Sequence, residues 1–262
     1  MPSLEKVIAE LERIAPLRLA ADWDTVGLLA GRPEASVERV MTCLTLSADV
    51  AAEAVRERAD LVVTHHPLPF RPVARITSET ATGAVLWQLI RAGVAVWSSH
   101  TAWDSAAGGI NDQLAARLEL VHVAPVVADA ELPLAGFGRA GTAPGLTVAA
   151  LARRAAAALG AAAVQIAGDP ARAAGRVGIV CGSGGDCIAT VRDGGCQTLV
   201  TGELRLHHAV EAVAGGLAVV AVGHHASEHF AMATLAARLA AALPGLVTWA
   251  ARDERDPLAW FV

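Results

Sequence analysis

Apolar positions along this chain fall into alternating helical and strand-like rhythms. Residues 3–14 place them at helical spacing between acids and bases, which predicts an amphipathic helix. RVMTCLTLS (39–47) reads as a buried strand followed by a helix over 48–58. DLVVTHHP is a short β-branched strand that ends at Pro67. A helix over 79–92, the strand VAVWSSH (94–100) and a helix over 109–120 come next. In 122–146 prolines and glycines gather, and the stretch is expected to link or cross between domains. The rhythm then resumes with LTVAALARRAAAALG, a helix stopped by a glycine. AVQIAG is a strand, and RVGIVCGSGG is a strand running into a glycine-rich turn. A helix over 186–193, the strand CQTLVTGE, a helix over 206–214, the strand LAVVAVGHH, a helix over 226–242 and the strand VTWAA complete the series.

Such alternation predicts an α/β fold with largely parallel sheets covered by helices. At 262 residues the chain has room for one large domain or two small ones. Hydrophobic residues make up 54%, but much of this is alanine. The longest apolar stretches are cut by Arg, Asp, Glu, His or Gly before reaching the roughly 20 residues of a membrane span. The N-terminus lacks the unbroken apolar core of a signal peptide, so the expected location is cytoplasmic, without a membrane partner. A formal charge of −5 argues against a general nucleic-acid coat. Lys6 is the sole lysine, so an anion bound elsewhere would need Arg, His, backbone amides or a metal. Cys43, Cys181, Cys187 and Cys196 form no CxxC pair and read as reduced, buried small residues.

Histidine usage changes the picture. Of the nine, all but His122 fall in four short segments. VVTHHPLPF puts His65 and His66 at the carboxyl end of a strand, where open α/β sheets place ligand crevices. Pro67 favours extended backbone at His66, and adjacent side chains on extended chain diverge. The pair is therefore expected to serve two neighbouring ions rather than to chelate one. SSHTAWDSAAGGIND follows another strand; its Asp104 is a candidate carboxylate ligand and His100 a ligand or proton carrier. In GHHASEHF, His224 and Glu228 fall at i and i+4 on one helix face, although His225 fits the pattern at three residues. His229 lies on another face and is expected to be structural or at the surface. VTGELRLHH brings Glu203, His207 and His208 after a strand, as a polar terminus or as groups facing a substrate. CGSGGD is a weak candidate anion cradle. TVGLL with its preceding WD, Trp23 to Leu29, reads as a turn capped by Asp24. Imidazole and carboxylate without thiolate suit Zn²⁺, Mn²⁺, Fe²⁺ or Ni²⁺.

Taken together, WDTVGLL, VVTHHPLPF, SSHTAWDSAAGGIND, GFGRAG, CGSGGD, VTGELRLHH and GHHASEHF resemble the NIF-three-like family in its order, over residues 22–229. Its members commonly carry the names GTP cyclohydrolase I type 2 homologue or dinuclear-metal-centre hexameric protein. The resemblance implies two interlinked α/β domains with a metal site in the cleft between them. The outer domain would hold 1–124 plus about 219–262, and the second about 125–218, a single family-length domain 1–262 being the alternative. It implies two divalent metal ions per subunit on His65, His66, Asp104, His224 and Glu228, with Glu228 bridging, and a toroidal homohexamer. The spacing between GFGRAG and CGSGGD matches the short form, without an inserted domain. Thr25 stands where the family usually has Asn, Pro69 interrupts the usual HHPLxF run, and His225 replaces a common Tyr. None of these removes an implied ligand.

The activity so implied is hydrolytic opening of the imidazole ring of GTP at C8 with loss of formate. His100, His207 or His208 would move protons. A metal-dependent phosphoesterase or other hydrolase, and a non-enzymatic metal-binding or regulatory scaffold, are the competing readings.

Overall fold

The computed structural model describes residues 1–259; residues 260–262, the end of the expected outer domain, lie outside the described residues. Two compact units emerge, one from Met1–Trp103 with Ala231–Pro257 and one built on Asp104–Phe230. The second is thus inserted into the chain of the first.

The chain begins with α1 (Leu4–Ile14), β1 (Gly27–Ala30), β2 (Arg39–Cys43), α2 (Ala48–Arg56), β3 (Leu61–Thr64), α3 (Ala81–Ala92), β4 (Ala95–Ser98) and α4 (His100–Ser105). It continues through α5 (Ile110–Arg117), β5 (Val121–Ala124), β6 (Val127–Ala128), β7 (Gly136–Phe137), β8 (Arg139–Thr142), α6 (Val148–Leu159), β9 (Gln165–Ala167) and β10 (Arg176–Val180). Then come α7 (Ile188–Asp193), β11 (Thr198–Thr201), α8 (Leu206–Ala214), β12 (Ala218–Ala221) and α9 (His224–Glu228). The last pair, α10 (Phe230–Ala242) and β13 (Val247–Ala250), returns the chain to the first unit.

Local chemistry sets the helix ends. The side chains of Ser3, Ser47, Thr80 and Thr147 accept hydrogen bonds from the amides of Lys6, Val50, Gly83 and Ala150, satisfying donors the first turn leaves open. Gly160 ends α6 in the left-handed region, as the sequence pattern predicts.

In the first unit the strand order is β1-β4-β3-β2-β13. β1 runs antiparallel on the edge, and the other strands are mutually parallel. All four residues of β3 and of β4 are buried, as expected of parallel strands covered on both faces. Met41, Val50, Val62, Leu89 and Val96 share the core. In the second unit the order is β5-β8-β10-β11-β12-β9, with β10, β11 and β12 parallel. Its core joins Ile188, Val191, Leu199, Ala212 and Val219. Arg139, almost fully buried, anchors the start of β8. Its guanidinium meets both Asp112 oxygens, at 2.5 and 2.9 Å, and the carbonyls of Gly136, Gly138 and Ala106.

Two stretches differ from the sequence expectation. TVGLL, read as a turn, supplies β1 from Gly27 onward. The expected link at 122–146 carries β5 to β8, of which β5 and β8 belong to the second sheet. β5 is exposed at every position, so it has no apolar alternation to betray it.

Leu199 is fully buried in the second core. Leu199→Ala should cost about 2–5 kcal/mol in a urea titration; a loss below about 0.5 kcal/mol contradicts this packing.

Candidate metal-binding groups

Parallel pairing brings strand ends into rows. In the first unit Cys43, Thr64 and Ser98 stand side by side at the ends of β2, β3 and β4. The segments after these strands therefore emerge at one edge: Thr45 after β2, His65 and His66 after β3, His100 after β4. The His65 amide donates to the Cys43 carbonyl and the His66 amide to that of Leu44. The Ser98 hydroxyl donates to the His65 carbonyl at 2.7 Å.

His65, His66 and His100 meet there. The rings of His65 and His66 are 5.1 Å apart, those of His65 and His100 5.1 Å, and those of His66 and His100 5.7 Å. One nitrogen from each lies within 4.8 Å of the others, a set able to hold a metal ion. The expected divergence of His65 and His66 does not occur. The chain bends at both residues, so the side-chain alternation of a strand has ended before them.

Two of these imidazoles are oriented by an oxygen. The Thr45 hydroxyl lies 2.8 Å from His66 Nδ1, and Asp24 Oδ1 lies 2.8 Å from His100 Nδ1. The buried Asp24 carboxylate also accepts from the Thr25 amide at 2.8 Å and from the Thr101 amide and hydroxyl at 3.1 and 2.5 Å. Burial pushes the Asp24 carboxyl up, but the hydrogen bonds from His100 and Thr101 outweigh it and leave it below its ordinary value. An ionised carboxylate only accepts, so His100 donates to it through Nδ1–H. Metal-binding histidines are commonly oriented in this way. His100 itself sits at φ +30°, a conformation that its fixed partners hold.

The second unit repeats the device. Val180, Thr201 and Ala221 align at the ends of β10, β11 and β12. CGSGGD, VTGE and GHHASE therefore leave the sheet together. The Gly202 amide donates to the Gly182 carbonyl at 2.9 Å, and that of Gly223 to Gly202 at 2.8 Å. His224 Nε2 is 3.2 Å from the buried Glu228 carboxylate, and Nδ1 is 3.4 Å from Glu203. The hydrogen bond to Glu228 pushes His224 up to about 9 against the opposing effect of burial, with the charges of Glu228 and Glu203 adding to it. His225, the alternative on pattern alone, instead stacks on His229 with ring centroids 4.4 Å apart.

Asp104, one turn after His100 on α4, accepts a bond from the Cys181 thiol at 3.3 Å. Burial, then the charges of Asp104 and Glu228, push that thiol well above its ordinary value and keep it protonated. Asn111 donates to the Asp104 carbonyl at 3.1 Å and accepts from the Cys181 amide at 2.9 Å, closing a ring around Asp104. His207 and His208 stand together on α8, and His208 Nε2 is 3.1 Å from Asp186.

The chain matches the Duf34/NIF3 (NGG1p interacting factor 3) family over residues 2–257. It belongs to that family. A Streptomyces coelicolor protein named GTP cyclohydrolase 1 type 2 homolog is 38% identical over 235 residues, covering 87% of this chain and 82% of its own. NIF3-like protein 1 of Drosophila melanogaster is 28% identical over 261 residues, covering 97% and 88%. The crystal structure of a Bacillus cereus protein related to NIF3 superposes with a TM-score of 0.92 at 20% identity, covering 100% and 99% of the two chains, and establishes the fold.

Some of the chemistry of this Duf34/NIF3 chain escapes sequence reasoning. Asp24 is not simply a turn cap; it braces His100 from 76 residues away. Cys181 and Asn111 brace Asp104, and neither pairing leaves a local signal. CGSGGD is a packing element more than an anion cradle. Its amides at Cys181, Gly182 and Gly184 already donate to Asn111, Ser227 and Thr201. At Gly182, φ +63°, a Cβ would collide with Glu228 Oε1, so glycine is what lets this carboxylate approach.

Because His224 is raised from 6.5 to about 9, its pairing with Glu228 contributes fully below pH 6.5 and is lost as pH rises through 9. In metal-free protein, NMR titration of this imidazole should show a midpoint near 9 that Glu228→Gln lowers toward 6.5; a midpoint near 6.5 before substitution contradicts the pairing.

Proposed function

We propose that His65, His66, Asp104, His224 and Glu228 hold two divalent metal ions, drawn from Zn²⁺, Mn²⁺, Fe²⁺ and Ni²⁺, and that the protein is a cytoplasmic metal-dependent hydrolase. The reaction we propose for it is opening of the imidazole ring of GTP with release of formate, and the name of its Streptomyces coelicolor relative, GTP cyclohydrolase 1 type 2 homolog, supports that reading. The observation that carries this reading is the convergence of imidazole nitrogens from His65, His66 and His100 within 4.8 Å. Oriented nitrogen and carboxylate donors without a thiolate fit borderline divalent ions, and the Cys181 thiol is kept in its neutral form.

Bound metal supplies Lewis acidity and lowers the pKa of coordinated water. The rest falls to side chains. Glu228, buried with His224 as its partner, would be one of the carboxylates that hold metal. His100, whose Nδ1 meets Asp24, would have Nε2 with which to take and return a proton. His207 and His208 are further carriers, with His208 oriented by Asp186. Self-association into a ring is supported by Leu206, Val210 and Val213, an exposed apolar stripe along α8. No helix among the described residues is long and apolar enough to cross a membrane.

Elemental analysis of gently purified protein should find about two equivalents of metal per chain, falling sharply in His65→Ala and in Glu228→Ala. Retention of metal by both variants sinks the ligand assignment. Metal-loaded protein given GTP should release formate. Phosphate or nitrophenol from phosphoesters with no formate would favour a phosphoesterase, and silence with both substrates a binding scaffold.

A further inference from the structure

We propose that Trp23 and Phe70 form an aromatic rim that stacks a planar, neutral or anionic heteroaromatic ring of the ligand beside His100. The inference rests on the proposed metal site only for what lies next to the rim.

Both side chains are conspicuous by their exposure, 65% for Trp23 and 52% for Phe70. Large aromatic surface left in water forgoes stabilisation that burial would bring. Neither ring is loosely placed. Trp23 lies edge-on to His100 with centroids 5.9 Å apart, and Phe70 edge-on to the same ring at 6.1 Å. The two aromatics are 6.3 Å from each other and tilted by 46°. Trp23 also directly precedes Asp24, whose buried carboxylate is tied to His100, Thr25 and Thr101. An exposed indole is therefore mounted on one of the most firmly bonded points of this edge, which lowers the ordering cost of binding.

The arrangement selects the occupant. Rings tilted by 46° cannot sandwich a ligand between parallel faces, but one can stack while the other makes an edge contact. Exposed indole faces also attract cations, yet a cationic ligand here would meet the positive charge of bound metal. Two side chains are far too little area for a stable protein partner, which needs roughly 800 Å² on each side. A single flat ring with neutral or negative substituents fits all three constraints.

The full chain loaded with Mn²⁺ can be titrated calorimetrically with GTP, UTP and inorganic tripolyphosphate, the last having the charged chain without a ring. Both nucleotides should bind more tightly than tripolyphosphate. Trp23→Ala and Phe70→Ala should each weaken the nucleotides by roughly 5- to 150-fold, leave tripolyphosphate and metal content unchanged, and be largely rescued by Trp23→Phe. Equal affinity for all three probes in the unsubstituted protein, or unaltered nucleotide binding in Trp23→Ala, overturns the proposal. So does a change of oligomeric state in Trp23→Ala, which would assign the rim to a second copy of the chain. Ring-dependent binding without formate release would retire the cyclohydrolase reading and leave the rim standing. Formate release with ring-independent binding would do the reverse.

Discussion

Parallel strand register is the constraint on which this protein's chemistry depends. A parallel sheet delivers the carboxyl ends of its strands to one edge, in a row fixed by backbone hydrogen bonds. In the first unit the row Cys43, Thr64, Ser98 delivers Thr45, the histidine pair and His100. In the second, Val180, Thr201 and Ala221 deliver the glycine loop, Glu203 and the pair His224 and Glu228. Residues tens of positions apart thus become neighbours without any loop having to search for them.

Each row is then stiffened by groups that are not themselves candidate ligands. Asp24 braces His100, Thr45 braces His66, and Cys181 with Asn111 braces Asp104. Glycine at 182 and 202 lets chain segments approach where a Cβ would collide with Glu228 or with Ser227. This is what a metal site requires of its surroundings, since ligand rotamers left free would have to be ordered at the expense of binding.

Much of the fold was legible because periodicity is a direct record of burial. The β-branched run before His65, the helix stopped at Gly160 and the alternation over 176–242 all derive from it. What was not legible had lost that record. β5 is exposed along its length, and β1 begins at a glycine with φ +100° that reads as a turn. The strand ends bearing His65, His66, His100 and His224 were visible as motifs, but their partners were not, because Asp24 with His100 and Cys181 with Asp104 are pairs made by the fold alone. The convergence of the HH pair is hidden for a related reason: the alternation of side chains stops at the bend where the strand ends. His224 and His225 are alike on spacing, and they differ in the fold: His224 meets Glu228 while His225 stacks on His229.

The central proposal is that His65, His66, Asp104, His224 and Glu228 are the side chains that hold metal. Anomalous-difference maps from crystals soaked in Mn²⁺ or Zn²⁺, recorded at the metal's absorption edge, test it most directly. The account predicts metal peaks within bonding distance of these side chains, as expected for nitrogen and oxygen ligands. Peaks lodged elsewhere, or no peak at these side chains, would contradict it.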